Sequence, residues 1–215
     1  MSTPTLLVVA KAPVPGLAKT RIAETIGDEA AAELAAAALL DTLLTTTAVG
    51  WPVVVAMTGD LTRAARSEEI AEALAALEVI EQRGDGLGER LAHAHADAGA
   101  GSGIVQVGMD TPQLTVADYL EAGRTVAEGV RVIGPAHDGG WWLLGLPDPT
   151  EAHGLGQVEM SADDTGDQTE TVLGGDFVRL RVVRDMDTWD DAVLIAREAP
   201  LSLLARAVDD IGDIA

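Results

Sequence analysis

The sequence predicts a three-layer α/β/α domain built on a mostly parallel sheet. Short β-branched runs alternate with longer Ala- and Leu-rich stretches of helical length, the pattern of strands joined by helical crossovers. No repeat, low-complexity linker or break in composition divides the 215 residues, so residues 1–215 read as one domain, long enough to bury a sizeable core. Every polar cluster, moreover, follows a candidate strand, and open α/β sheets bind ligands beyond the carboxyl ends of their strands.

Taken in order, Thr5–Ala10 is a buried strand, and Asp28–Ala48 is a long helix with Asp28 near its start and Gly50 beyond its end. Pro52–Met57 is the next strand, Leu61–Leu77 a helix and Glu78–Gln82 a short strand. Glycines across Gly84–Gly88 open a helix over Glu89–Ala98, and Gly103–Gly108 is a strand ending at Asp110. Val116–Ala127 is a helix, Val130–Gly134 a strand, Pro135–Gly140 a loop and Trp141–Leu146 a further strand. The irregular stretch Asp148–Gly166 is a candidate flexible loop, followed by helical Thr165–Leu173, extended Phe177–Val183 and helical Thr188–Glu198. The apolar tail Leu201–Ile214 is suited to pack on its own domain or on a second copy, which makes a homodimer one partner to test.

Composition narrows the function. Apolar residues make up 47% of the chain but aromatics only 3%, so the core is mostly Ala, Leu and Val. With no cysteine there is no disulfide, thiolate metal site or cysteine nucleophile. The first apolar run, Leu6–Ala10, is too short for a signal peptide, and no run reaches the ~18 apolar residues of a membrane span, so a cytoplasmic protein with no membrane partner is expected. A net charge of −21 excludes nucleic acid, whose binding needs Lys and Arg against phosphates. An anionic small substrate would need local basic residues, a metal ion, or both.

Such basic residues occur in one place. The chain's two lysines, Lys11 and Lys19, share a loop with Arg21 just after the first strand, shaped by Pro13, Pro15 and Gly16. Ammonium groups on flexible stems are phosphate ligands. The loop matches neither the Walker A pattern nor the dinucleotide fingerprint. Around Gln82-Arg-Gly-Asp-Gly86-Leu-Gly-Glu-Arg90, the glycines Gly86 and Gly88 precede a helix whose amides can meet a ligand, with Gln82, Asp85 and Arg90 as companion contacts. Asp110, at a strand end before Thr-Pro, is placed to hold Mg²⁺ or Mn²⁺. In His137-Asp138-Gly139-Gly140-Trp141-Trp142, Asp138 is a candidate general base, the glycines make room, and one of the two tryptophans lines a pocket while the other packs. The same segment also reads as a tight turn between strands. Thr188 and Asp191 form a capping box, and Asp187 beside it is a second candidate metal ligand.

Five segments carry a resemblance: Ala10-Lys-Ala-Pro-Val-Pro-Gly-Leu-Ala-Lys-Thr-Arg21, Gly86-Leu-Gly-Glu-Arg-Leu91, Gly108-Met-Asp-Thr-Pro112, Gly134-Pro-Ala-His-Asp-Gly-Gly-Trp-Trp-Leu143 and Asp185-Met-Asp-Thr188. In this order they resemble a bacterial GT-A-like family of glycosyltransferases of the arsenosugar-biosynthesis type, formerly a domain of unknown function. It is similar to guanylyltransferases acting on phospholactate and on the molybdenum cofactor. The resemblance implies the nucleotide-diphospho-sugar transferase fold, a nucleotide with phosphates near Lys11, Lys19 and Arg21, and Asp110 in the metal role of the Asp-x-Asp motif. Here that turn reads Gly-Met-Asp-Thr, so Asp138 or Asp187 would supply the second ligand.

The expected activity is therefore metal-dependent transfer from a nucleotide sugar to an unknown small-molecule acceptor. Lys19 would stabilise the leaving diphosphate and Asp138 would serve as base. The alternatives are nucleotidyl transfer from an NTP to a phosphorylated acceptor, which needs a second basic pocket, and nucleotide binding without catalysis. Arg83, Arg90, Arg179, Arg181 and Arg184 are available for such a pocket.

Overall fold

β1 (Thr5–Lys11) lies near the centre of a seven-stranded sheet of order β3-β2-β1-β4-β6-β5-β7. The other strands are β2 (Val53–Thr58), β3 (Glu78–Glu81), β4 (Ile104–Gly108), β5 (Arg131–Pro135), β6 (Trp141–Leu146) and β7 (Phe177–Arg179). Only β6 runs antiparallel, paired on both sides with β4 and β5, because a short turn and not a helix joins it to β5. The remaining pairings are parallel. A computed structural model describes residues 3–99 and 103–212, so Ile214 of the tail lies outside them.

The strands are apolar on both faces, as a sheet covered on both sides requires. Leu6, Val8 and Ala10 of β1 pack with α2 (Asp28–Ala48), α3 (Ser67–Leu74) and α5 (Val116–Ala127). Leu7 and Val9 face α4 (Leu87–Ala98), which also packs against a 3-10 segment, Pro149–Gln157. By length and composition α2 would pass for a membrane span, although no unbroken apolar run in it suggests one. In the fold it is a core helix, mostly buried, with α1 (Thr20–Ile26), α7 (Trp189–Glu198) and α8 (Leu203–Gly212) packed on its outer side.

Four expectations change. The helix expected over Leu61–Leu77 is a 3-10 turn, Leu61–Arg63, and then α3. Asp60 caps the first by accepting from the Thr62 amide, and Arg66, left-handed at φ 49°, breaks the run. Strand Phe177–Val183 stops at Arg179, and Val183 makes only an isolated bridge to Ala136. The stretch Asp148–Gly166, expected to be an irregular loop, is 3-10 over half its length, capped by Asp148 and anchored by buried Ala152 and Leu155. α1 was not expected as a separate helix; Gly27, at φ 86°, ends it before α2 begins. α6 (Thr165–Leu173) forms as expected.

Candidate active site

The β1 loop closes on itself: Lys11 Nζ donates to the Leu17 carbonyl at 2.7 Å, and Pro13 offers its carbonyl to the Ala65 amide. Lys19 ends the loop in a left-handed conformation, φ 51°, which costs a non-glycine residue roughly 1 kcal/mol. Its side chain runs inward, 11% exposed, to place Nζ 3.0 Å from Asp110 Oδ2 and 3.4 Å from Asp187 Oδ1. Burial alone would lower its pKa, but Asp110 and Asp187 outweigh it and hold the ammonium above its ordinary value. Lys19 is therefore a fixed, charged post. Arg21, mostly exposed, reaches Asp187 Oδ2 at 3.1 Å.

Facing these cations is an acidic triad. Asp138, Asp185 and Asp187 each bring one carboxylate oxygen within 4.8 Å of the others. Asp138 sits in the β5–β6 turn, where its Oδ1 accepts from the Gly140 amide at 2.8 Å. Asp185 and Asp187 come from the extended chain before α7, so their two-residue spacing puts both on one side. The Met186 amide ties that chain to the Asp110 carbonyl at 2.9 Å, and the Thr188–Asp191 capping box turns it into α7. Burial, then repulsion by Asp138 and Asp187, pushes the Asp185 carboxyl up to about 6. Three oxygen donors, of which only Asp187 is ion-paired, fit a hard cation such as Mg²⁺ or Mn²⁺.

Asp110, the metal ligand expected from sequence, is not in that cluster. Its Oδ2 holds Lys19, and its buried Oδ1 has no partner. The cluster that could hold a cation takes in the Asp185-Met-Asp187 turn, itself an Asp-x-Asp pattern that could have been read from the sequence. Asp138, expected as a base, stands among the carboxylates.

Between the cations and α4 opens a cavity of about 520 Å³. Lys11, Arg21, Asp110 and the triad line one end, and Gln82, Arg90, Gly140 and Trp141 also face it. Lys19 lines a smaller adjoining cavity of about 350 Å³. Gln82 spends its Nε2 on the Ala10 and Ala56 carbonyls at 2.7 and 2.8 Å, which pins the ends of β1 and β2.

Six expected contact residues do not line either cavity: Pro13, Gly16, Asp85, Gly86, Gly88 and Gly139. Gly88 is small because Leu155 needs the space: a Cβ there would lie 2.2 Å from its carbonyl oxygen. Gly139 packs in the same way against the Asp163 backbone. Gly86 precedes α4 in extended form, and the Asp85 amide is taken by the Glu89 carboxylate. The arginines do not converge either. Arg83 pairs with Asp97, Arg179 with Asp167 and Glu170, Arg181 with Asp118, and Arg184 with Asp191. Only Arg90 of that group reaches the cavity. Trp142 is buried against Val183 and its neighbours, leaving Trp141 as the pocket tryptophan.

Gln106, Met160, Ser161 and Asp163 also line the cavity, and sequence reading passed over them. Gln106 lay inside an apolar strand pattern, and the other three lay in a stretch with no periodicity to place them.

A family model described as "Uncharacterized protein conserved in bacteria (DUF2064)" matches residues 40–162, more than half of the chain. The chain is similar to a provisionally named nucleotide-diphospho-sugar transferase from Desulfovibrio desulfuricans G20, with 27% identity and a TM-score of 0.77 over 98% of this chain and 97% of that one. It is similar in fold to Rv0371c from Mycobacterium tuberculosis H37Rv, with 18% identity and a TM-score of 0.63 over 91% and 99% of the two chains. That protein also has a structure in complex with manganese. A CMP:2-keto-3-deoxy-manno-octonic acid synthetase complexed with CTP matches at 12% identity and a TM-score of 0.53, over 93% and 98%. No curated protein matches the chain. The fold is that of the nucleotide-diphospho-sugar transferases.

Proposed function

This chain belongs to the bacterial family described as uncharacterized (DUF2064), and we propose that it is a metal-dependent transferase acting on a nucleotide-activated substrate. Within that class, the reading it supports best is a glycosyltransferase with a nucleotide-sugar donor, of the arsenosugar-biosynthesis type that the motifs resemble. The observation that carries this is one site at the strand ends holding both the acidic triad and the cations Lys11, Lys19 and Arg21. A divalent ion held by Asp138, Asp185 and Asp187 would add positive charge beside a diphosphate leaving group.

The chain's own residues do the rest. Lys11 and Arg21, at the cavity wall, bind phosphate oxygens. Lys19, kept charged and fixed by Asp110, stabilises charge that builds on the departing phosphate without having to reorganise. Gln82 keeps only its Oε1 for a ligand, so it can accept but not donate. Asp138 acts as ligand or as base but not as both at once.

Nucleotidyl transfer is the second reading, favoured by the synthetase of like fold seen with CTP. Against it, four of the five arginines open to a second anion pocket are held in separate ion pairs.

The test is thermal shift with NTPs and nucleotide sugars, with and without Mn²⁺. A ligand at 100 times its dissociation constant adds ~2.7 kcal/mol. Manganese-dependent stabilisation by a UDP- or GDP-sugar, lost in Asp187→Asn and Lys19→Ala, is the expected result. Stabilisation by intact NTPs alone selects the second reading, and no response to any nucleotide refutes both.

A further inference from the structure

The far end of the larger cavity differs from the charged end. Val9, Trp141 and Met160 belong there to the apolar cluster around Leu91 and Leu155. Its polar groups are either engaged or, as at Ser161, Asp163 and Arg90, not fully buried. Trp141 Nε1 donates to Thr169 Oγ1 at 3.1 Å, and Thr165 Oγ1 is occupied by Glu159 and Ala162. Arg90 lines the cavity from α4, its Nε directed at the Gly86 carbonyl.

Gln106 is the exception. It is 2% exposed on β4, lines the cavity, and has its Oε1 2.8 Å from Nε2 of fully buried His95. The other imidazole nitrogen, Nδ1, is buried with no partner. A proton on Nδ1 would leave an orphaned buried donor, which folds avoid more strictly than an orphaned acceptor. His95 therefore carries its proton on Nε2 and donates it to Gln106, consistent with a pKa lowered to about 4 by burial. The amide cannot turn, and no described residue accepts from its Nε2, so that NH₂ group is what Gln106 presents to the cavity.

We propose that this apolar end is the acceptor site, that it takes a compact, largely apolar group bearing a carbonyl or ether oxygen, and that Gln106 selects that oxygen. The word "acceptor" rests on the transferase reading above; the chemistry of the compartment does not. A polyhydroxylated ring would need a partner for each hydroxyl it buries, and apart from Gln106 the side chains left open here are Arg90, Ser161 and Asp163. An apolar body gains from leaving water, and one oxygen over the fixed amide gains orientation. His95 is the positioning residue: it acts through Gln106.

The probes are cyclohexanone, methylenecyclohexane (the same shape without an acceptor) and glucose, titrated into the full ¹⁵N-labelled chain without nucleotide or metal. The readout is the Trp141 indole N–H resonance, identified by its loss in Trp141→Phe. Cyclohexanone should move it at concentrations about fivefold lower than methylenecyclohexane, and glucose should not move it. Gln106→Glu keeps the His95 bond but removes the donor, so the difference between the two ketone-shaped probes should vanish. His95→Phe frees the amide to turn and should narrow that difference while leaving methylenecyclohexane binding unchanged, which a merely structural role would not do. Preference for glucose, or discrimination that survives in Gln106→Glu, overturns the proposal. Because no nucleotide is present, this result is independent of the nucleotide panel, and either can fail alone.

Discussion

Asp41, at the seam of α2 and α8, and Asp185, in the cavity, are both carboxylates whose pKa burial raises, yet they keep opposite company. Asp41 accepts the Leu203 and Leu204 amides at 2.9 Å each, with Arg66 and Arg206 nearby, and so caps α8 from another helix. Asp185 faces Asp138 and Asp187. The first is complete as the chain folds; the second sets like charges together, a repulsion that Lys19 eases only in part. Burial is common to both, and the partners decide between structure and function.

Three measurements sharpen that contrast. The largest effect is expected from His95, which is buried like Asp41 but lacks charged partners. Its folded pKa is about 4 against an ordinary 6.5, so stability it contributes above 6.5 is lost as pH falls through 4. The unfolded chain takes up the proton first, and the loss should reach about 3 kcal/mol at 1.36 kcal/mol per unit. Urea titrations from pH 7 to 4 should record it, and His95→Phe should flatten that dependence.

Next, Asp41→Ala should cost about 2 kcal/mol, because two amides at the start of α8 lose their acceptor. Chemical denaturation would read it, and a change within error would mean that Ser202, whose Oγ accepts from the Ala205 amide, caps the helix alone.

A third effect has the opposite sign. Asp185→Asn should raise the metal-free melting temperature at pH 7 while weakening Mn²⁺ binding. With a folded pKa of about 6 against 3.8, the stability Asp185 gives is complete below 3.8 and lost as pH rises through 6. That trend runs against the one from His95, so each variant should expose the other's slope. A lower melting temperature in Asp185→Asn would end the comparison, since both aspartates would then be structural.

Much of the fold could be read from local pattern. Runs such as Leu6–Ala10 and Val53–Met57 are apolar on consecutive residues, which only a sheet covered on both faces explains. Where reading failed, a single residue overrode the pattern: left-handed Arg66 broke one expected helix, and Gly27 separated α1 from α2. Among the residues lining the cavities, Lys11, Lys19 and Arg21 were visible because the chain has only two lysines and both share a loop with Arg21, and Asp187 because it adjoins a capping box. Gly88 and Gly139 pack on backbone outside both cavities, and a glycine needed for such packing looks the same in sequence as one needed for a ligand.

By itself the sequence determined the layered α/β architecture and the gathering of both lysines with Arg21 in one loop of a chain of charge −21. Periodicity and charge are local properties, and they can be read locally. Only the tertiary structure decided that Lys19 belongs to Asp110 and that the acidic triad is Asp138, Asp185 and Asp187. It also decided that Gln106 turns its amide to the cavity because His95 lies beneath it. Those assignments depend on side chains that stand from 11 residues apart, for His95 and Gln106, to 91 apart, for Lys19 and Asp110, and folding alone brings them within reach of a hydrogen bond.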